Sequence, residues 1–241
     1  MKILVVMDVS TKHKQWLEQA AGTNDIVYCA GDGSNAGTDL EEAEVIIGNI
    51  DPALIQKAQN LQWLQLNSAG ANEYCAPGVL PAGITLTNAT GAYGLALSEH
   101  MLAQTLAMMK KLYLYYENQK QCCWHDEGPV TSLYGATVVV VGFGNIGKNF
   151  GRRAKAMGAH VIGLRRRHGA VPPEADEMGD MEHFDDYLAQ ADIVASCLPD
   201  TPETQHLYNK ERFAAMKQGA YFINVGRGNS IDQAALVEAL N

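Results

Sequence analysis

The chain has 241 residues, 47% of them hydrophobic and 19% charged, which excludes disorder and fibrous repeats and leaves one large or two modest globular domains. Its 18 Lys and Arg against 27 Asp and Glu give a formal charge of −9. That balance argues against a nucleic-acid binder, because duplex affinity rests on cations neutralising phosphates, and it makes small molecules the expected partners.

Along the chain, Met1-Lys2 is followed by five apolar residues before Asp8, too few for a signal-peptide core, and no apolar run spans a bilayer, so a cytoplasmic protein is expected. Strands are predicted over 3–7, 26–29, 45–48, 63–66 and 84–87, with helices near 11–21 and 52–58. This alternation is that of parallel βαβ construction. Between 94 and 117 the apolar residues Leu95, Leu102, Leu106, Met109, Tyr113 and Tyr116 trace one face of a long helix, which is expected to link two domains. The aromatic pair Tyr113 and Tyr116 reads as helix packing. A looser segment over 121–134 precedes a β-branched run at 136–141, as expected of a strand covered on both faces. Further strands are predicted over 160–164, 192–197 and 221–225, with a final helix over 233–240.

The five cysteines, Cys29, Cys75, Cys122, Cys123 and Cys197, are odd in number and show no CxxC spacing, so reduced thiols are expected. The scatter of Cys and His gives no zinc-site spacing, and no metal is expected.

Directly after the strand over 136–141 stands Gly142-Phe143-Gly144-Asn145-Ile146-Gly147, and then a helix whose predicted apolar face carries Ile146, Phe150 and Met157. In a strand–loop–helix setting the first glycine permits the turn, the second lets the backbone approach a pyrophosphate, and the third lets helix and strand pack closely. Free N–H groups at the helix start then hold phosphates, so dinucleotide binding is expected. About 20 residues on, where an NAD site places an acid, the strand ends in Leu164-Arg165-Arg166-Arg167. Guanidinium groups pair bidentately with a 2′-phosphate, so NADP is favoured over NAD; a solvated basic loop is the alternative.

The stretch from Ala191 through Leu198-Pro199-Asp200-Thr201-Pro202-Glu203-Thr204, and then Asn224-Val225-Gly226-Arg227-Gly228, together with the glycine loop, resembles the D-isomer-specific 2-hydroxyacid dehydrogenases. Phosphoglycerate dehydrogenase and glyoxylate/hydroxypyruvate reductase belong to that family. Leu66-Asn67-Ser68-Ala69-Gly70 is similar to its substrate loop, and Ser98-Glu99-His100 to the opening of its interdomain helix. The resemblance implies an α/β chain with a flavodoxin-like substrate domain over 1–98 and a Rossmann cofactor domain over 99–241, both with parallel sheets and the last strands missing.

It further implies reversible hydride transfer between nicotinamide and a small 2-keto or 2-hydroxy acid. Arg227 would bind the keto acid, the amides around Ser68, Ala69 and Gly70 would hold its carboxylate, Leu198 and Pro199 would run along the nicotinamide ribose, and Thr204, Val225 and Gly226 would bind the cofactor. A homodimer is implied by the same resemblance. Cys197 stands where the family often has histidine, and Ala71-Asn72 replaces a more usual Val-Asp. The family's acid/base glutamate and histidine map beyond Asn241, and His100 and His206 match neither, so a truncated and catalytically impaired chain is one expectation. The alternative is a nucleotide-sensing interaction protein of the same fold. A short-chain dehydrogenase is set aside, since the Tyr-x-x-x-Lys match, Tyr116 with Lys120, precedes the glycine loop.

Overall fold

The structure, a computed structural model, describes residues 1–166 and 169–241. Arg167, the last arginine of the basic run, lies outside the described residues. The chain gathers into two compact units, Met1–Ala92 and Tyr93–Asn241.

In the first unit the order is β1 (Lys2–Val6), α1 (Thr11–Ala21), β2 (Asp25–Tyr28), α2 (Thr38–Glu42), β3 (Val45–Gly48), a 3₁₀ turn (Pro52–Lys57), β4 (Trp63–Gln65) and β5 (Thr85–Thr87). The strands are all parallel, in the order β2-β1-β3-β4-β5, which is the flavodoxin-like order. The unbroken apolar run of β1 is explained by cover on both faces. Leu4 and Val6 pack with Ile46, Ile50 and Leu64, while Ile3 and Val5 pack with Ala21 and Leu17 of α1. Ser10 starts α1 by accepting the His13 N–H at 3.3 Å, and Gly22 closes it with φ of 61°.

The second unit runs α3 (Gly94–Met109), α4 (Leu112–Lys120), β6 (Thr137–Val141), α5 (Asn145–Ala156), β7 (His160–Leu164), β8 (Glu177–Gly179), α6 (Phe184–Gln190) and β9 (Ile193–Ser196). A 3₁₀ turn (Pro202–Thr204), α7 (Lys210–Ala215), β10 (Tyr221–Asn224), another 3₁₀ turn (Gly228–Ser230) and α8 (Gln233–Leu240) complete it. Its parallel sheet has the order β10-β9-β6-β7-β8, so the unit's first strand is central and the order reverses between β6 and β9. This is the Rossmann arrangement. The four valines of β6 are fully buried because they alternate between two cores. Val138 and Val140 face Met101, Phe150 and Ala154 from α3 and α5, and Val139 and Val141 face Phe184, Leu188 and Phe213 from α6 and α7.

The expected α/β class with two parallel sheets holds, with local corrections. The long helix over 94–117 is two helices, broken at Lys110 and Lys111, the latter at φ of 53°. The buried line of α3 is Ser98, Met101, Thr105 and Met109, while Leu95 is exposed. The apolar spacing misassigned that face because two polar residues lie on it: Ser98 Oγ donates to Leu95 O at 2.9 Å and Thr105 Oγ1 to Met101 O at 2.7 Å, so both hydroxyls are paired within the helix. Tyr113 and Tyr116 are 57% and 60% exposed, which overturns their assignment to helix packing in this chain.

Met157 is likewise exposed, because α5 ends at Ala156 and the chain turns away. The helix predicted over 52–58 is a 3₁₀ turn, anchored by the single buried residue Ile55 and by Asp51, whose carboxylate accepts Ala53 N–H at 2.9 Å. His206 sits exposed at φ of 46° ahead of α7, whose cap is Asn209. Among the described residues no helix is long and apolar enough to cross a membrane.

Candidate functional site

The carboxyl ends of β6, β7, β9 and β10 bring together most of the residues singled out in the sequence. The glycine loop leaves β6 at Gly142, whose φ of 92° favours glycine. A Cβ there would lie 2.8 Å from the carbonyl carbon of Cys197, so the loop abuts the segment leaving β9. A Cβ at Gly147 would lie 2.5 Å from Gly142 O, which is the close approach of helix to turn that the third glycine allows. Gly144 is different: its φ is −88°, and a Cβ would meet no protein atom within 4 Å. The space above it is open. Gly144 caps α5 with no side-chain bond, so the helix start carries first-turn N–H groups free of a side-chain cap and the positive end of the helix dipole.

Arg165 follows the last residue of β7. It is half-buried, and its Nε is a buried donor with no acceptor among the described residues, a costly arrangement that an anionic partner would relieve. Arg166 is exposed and close enough to Glu203 to help hold that carboxyl below its usual range, after the larger effects of the Thr201 hydroxyl and the Glu203 backbone. The turn at Pro202–Thr204 therefore stands near the end of β7. Thr204, expected to bind the cofactor, uses its hydroxyl inside this turn: Oγ1 donates to Pro199 O at 2.8 Å and accepts Thr201 N–H at 3.0 Å.

Leu198 and Pro199 leave β9 against Gly226, where a Cβ would lie 2.5 Å from Leu198 O. Val225 N–H donates to Ser196 O at 3.0 Å, which continues the β10 pairing one residue past the strand. Arg227 follows, exposed, with Nη1 donating only to the adjacent Gly226 O at 3.0 Å. Its backbone is gripped. Asn224 Nδ2 and Ser230 Oγ both donate to Arg227 O, at 3.2 and 2.8 Å, and Asn224 Oδ1 accepts Gly226 N–H at 2.9 Å. Asn229 Nδ2 donates to Asp200 Oδ1, which ties the loop after β10 to the loop after β9. Asn224 lies in the motif quoted from the sequence without a role, while Asn229 and Ser230 were missed, and only the polar character of the stretch between Gly228 and Ile231 could have flagged them. Cys197 is largely buried, and burial pushes its thiol up to about 12, so it stays protonated and is no nucleophile.

Ser68, Ala69 and Gly70 belong to the other unit, just past the carboxyl end of β4. Ser68 Oγ donates to Gly70 O at 2.8 Å, Asn88 Nδ2 to Ala69 O at 2.9 Å, and Ala89 N–H to Ser68 O at 3.0 Å. These bonds fix the loop through its carbonyls and do not use the Ala69 and Gly70 N–H groups. Among the described residues no group of three or more His, Cys, Asp or Glu could hold a metal ion.

The chemistry of this arrangement is that of an anion cradle at a helix start, with the Arg165 guanidinium following the neighbouring strand. The open space above Gly144, the uncapped start of α5 and the unpaired Arg165 Nε all fit a phosphate-bearing dinucleotide.

Comparison with known proteins agrees. Residues 102–241 match the family model described as D-isomer specific 2-hydroxyacid dehydrogenase, NAD binding domain. A Haemophilus influenzae protein bearing the 2-hydroxyacid dehydrogenase name is 31% identical over 212 residues, covering 83% of this chain and 65% of its own length. Among solved structures, a D-isomer specific 2-hydroxyacid dehydrogenase family protein from Aeromonas salmonicida superposes with a TM-score of 0.87 at 33% identity, over 99% of this chain and 77% of that one. An NADPH-dependent glyoxylate/hydroxypyruvate reductase from Sinorhizobium meliloti, in complex with NADP and sulfate, superposes with a TM-score of 0.82 at 25% identity, over 99% and 76% of the two chains.

Proposed function

Because the chain belongs to the D-isomer specific 2-hydroxyacid dehydrogenase family, we propose that it carries the coenzyme site of an oxidoreductase interconverting small 2-keto and D-2-hydroxy acids, with NADP(H) preferred over NAD(H). In this reading residues 99–241 hold the coenzyme and residues 1–98 present the acid substrate. The observation that carries it is the open space at Gly144 and the start of α5, on a loop hydrogen-bonded through Gly142 and Phe143 to Leu164, the residue before Arg165. The matches are to dehydrogenases and reductases, which gives the sensor alternative no support.

When bound, the nicotinamide supplies or accepts the hydride. The chain's own groups do the rest. The N–H groups at the start of α5 hold the diphosphate, and Arg165 with Arg166 pairs with a 2′-phosphate on the adenosine ribose. Leu198, Pro199, Val225 and Gly226 line the nicotinamide side and keep water from it. Arg227 grips the substrate carboxylate and orients the neighbouring carbonyl, with its backbone held by Asn224 and Ser230. In the first unit, the Ala69 and Gly70 N–H groups, unused by the bonds that fix their loop, are the donors offered to a carboxylate. A homodimer is part of the proposal, supported by the exposed apolar residues Leu112, Tyr113, Tyr116 and Trp124 on and after α4.

Calorimetric titration with NADPH and NADH tests the reading. The expected result is tighter NADPH binding, with Arg165→Ala weakening NADPH by about 10-fold or more, the worth of a charge-assisted hydrogen bond, and leaving NADH within about 2-fold. Equal loss for both coenzymes would remove the NADP preference. No binding of either would remove the proposal.

A further inference from the structure

Phe143 stands between the first two glycines of the loop, a position whose side chain could point into solvent without disturbing either. It is instead 2% exposed and belongs to the core between the sheet and the α3–α5 layer. Two glycines outside the loop make room for it. A Cβ at Gly163, within β7, would lie 2.6 Å from Phe143 Cγ, and a Cβ at Gly151, within α5, would lie 2.9 Å from its Cε2. Gly151 also admits Glu174 O at 2.9 Å, and Gly163 admits Met178 Sδ at 2.9 Å.

Neither glycine adopts a positive φ, so backbone conformation does not call for glycine at either place. Glycine weakens a helix or strand interior, and its presence there is explained by close approach of another group. The ring of Phe143 is the group common to both.

The same residue is tied to β7 through its backbone. Phe143 N–H donates to Leu164 O at 2.9 Å, and Gly142 N–H donates to that oxygen at 3.0 Å. Leu164 ends β7, and Arg165 follows it. One residue thus fixes the glycine loop to the strand end that presents the Arg165 guanidinium, by its ring on one side and its amide on the other.

We propose that Phe143, seated in the socket formed by Gly151 and Gly163, is a positioning residue that sets the distance between the phosphate cradle at Gly144 and Arg165. The proposal rests on the dinucleotide-binding reading above. It makes the pair of glycines, which lie outside the glycine-rich fingerprint, determinants of coenzyme affinity. A methyl group placed in the socket drives the ring outward, and the loop moves with it because ring and amide share one Cα.

Truncating Phe143 itself would open a large cavity, so Gly163→Ala is the test, with Phe143→Leu/Gly163→Ala as the compensating pair. Hydrogen exchange of the peptide covering 142–147 and NADPH affinity are read in the intact chain. In Gly163→Ala the loop amides should exchange at least 10-fold faster and NADPH should bind about 10-fold more weakly. The smaller leucine should return both to within about 3-fold of wild type. A role in packing alone predicts a lower melting temperature with loop exchange and affinity unchanged, and that result overturns the proposal. If wild type binds neither coenzyme, the dinucleotide reading fails by itself, and loop exchange still decides the socket: faster exchange in Gly163→Ala supports it, and unchanged exchange overturns it.

Discussion

Gly142 and Gly144 stand two positions apart and do opposite jobs. Gly142 needs its left-handed φ and touches the Cys197 backbone, so Gly142→Ala should cost about 2 kcal/mol of stability. Differential scanning calorimetry would read this as a fall of roughly 6 °C in melting temperature. Gly144 has an ordinary φ and open space where a Cβ would go, so Gly144→Ala should lose no more than about 1 kcal/mol, the difference between glycine and alanine at a helix cap. Its effect should fall on NADPH, with affinity reduced about 10-fold in a titration, because the methyl occupies the place of the diphosphate. A stability loss at Gly144 matching that at Gly142 would show that the cradle is a packing feature and no ligand site. The three glycines were legible in the sequence by spacing alone, but which of them faces a ligand and which faces protein was not. That distinction depends on the loop after β9, which is more than 50 residues away in the chain.

At the scale of elements, Asp192 shows how the opposite end of the second sheet is pinned. Its Oδ2 accepts Thr137 N–H at 2.8 Å at the start of β6, and its Oδ1 lies 2.8 Å from Lys217 Nζ ahead of β10. Burial alone would raise the carboxyl, but these two partners outweigh it and hold it below the usual range. The folded state therefore binds this proton more weakly than the unfolded state. The stabilisation is complete above the unfolded carboxylate pKa of about 4 and is lost as pH falls through the lowered folded value. Asp192→Asn should lower the melting temperature by roughly 3 °C at pH 7, with a difference that shrinks toward zero as pH falls through the lowered folded value. A difference that holds constant down to acid would exclude the ion pair and the charge-assisted bond as its source.

Strong elements were readable here. The alternation of β6 between two cores, the β-branched composition of its neighbours, and the Ser10 and Asp232 caps mark their boundaries within a residue or two. The weak ones were not. β8 has three residues, Glu177–Gly179, with no β-pattern of its own, and it is set in place by Asp176, which donates its N–H to Val161 O and accepts Val161 N–H. The break after α3 was hidden because apolar spacing continues across Lys110 and Lys111 although the helix does not.

For the whole molecule, the large apolar side chains Leu112, Tyr113 and Tyr116 of α4 and Trp124 after it are among those left uncovered by the chain's own cores. If a second copy covers them, light scattering behind a sizing column should return about twice 26.1 kDa at tens of micromolar protein. Tyr116→Glu should then shift the mass toward one chain without changing the melting of the monomer. A wild-type mass of one chain across that range would remove the dimer from the proposal. The break at Lys111 has a consequence beyond assembly. With α4 carrying no fully buried residue, neither core constrains its composition, whereas the coenzyme loops are locked by backbone-to-backbone approach at Gly142, Gly147 and Gly226. Substitutions on α4 should therefore cost less stability than substitutions at those glycines.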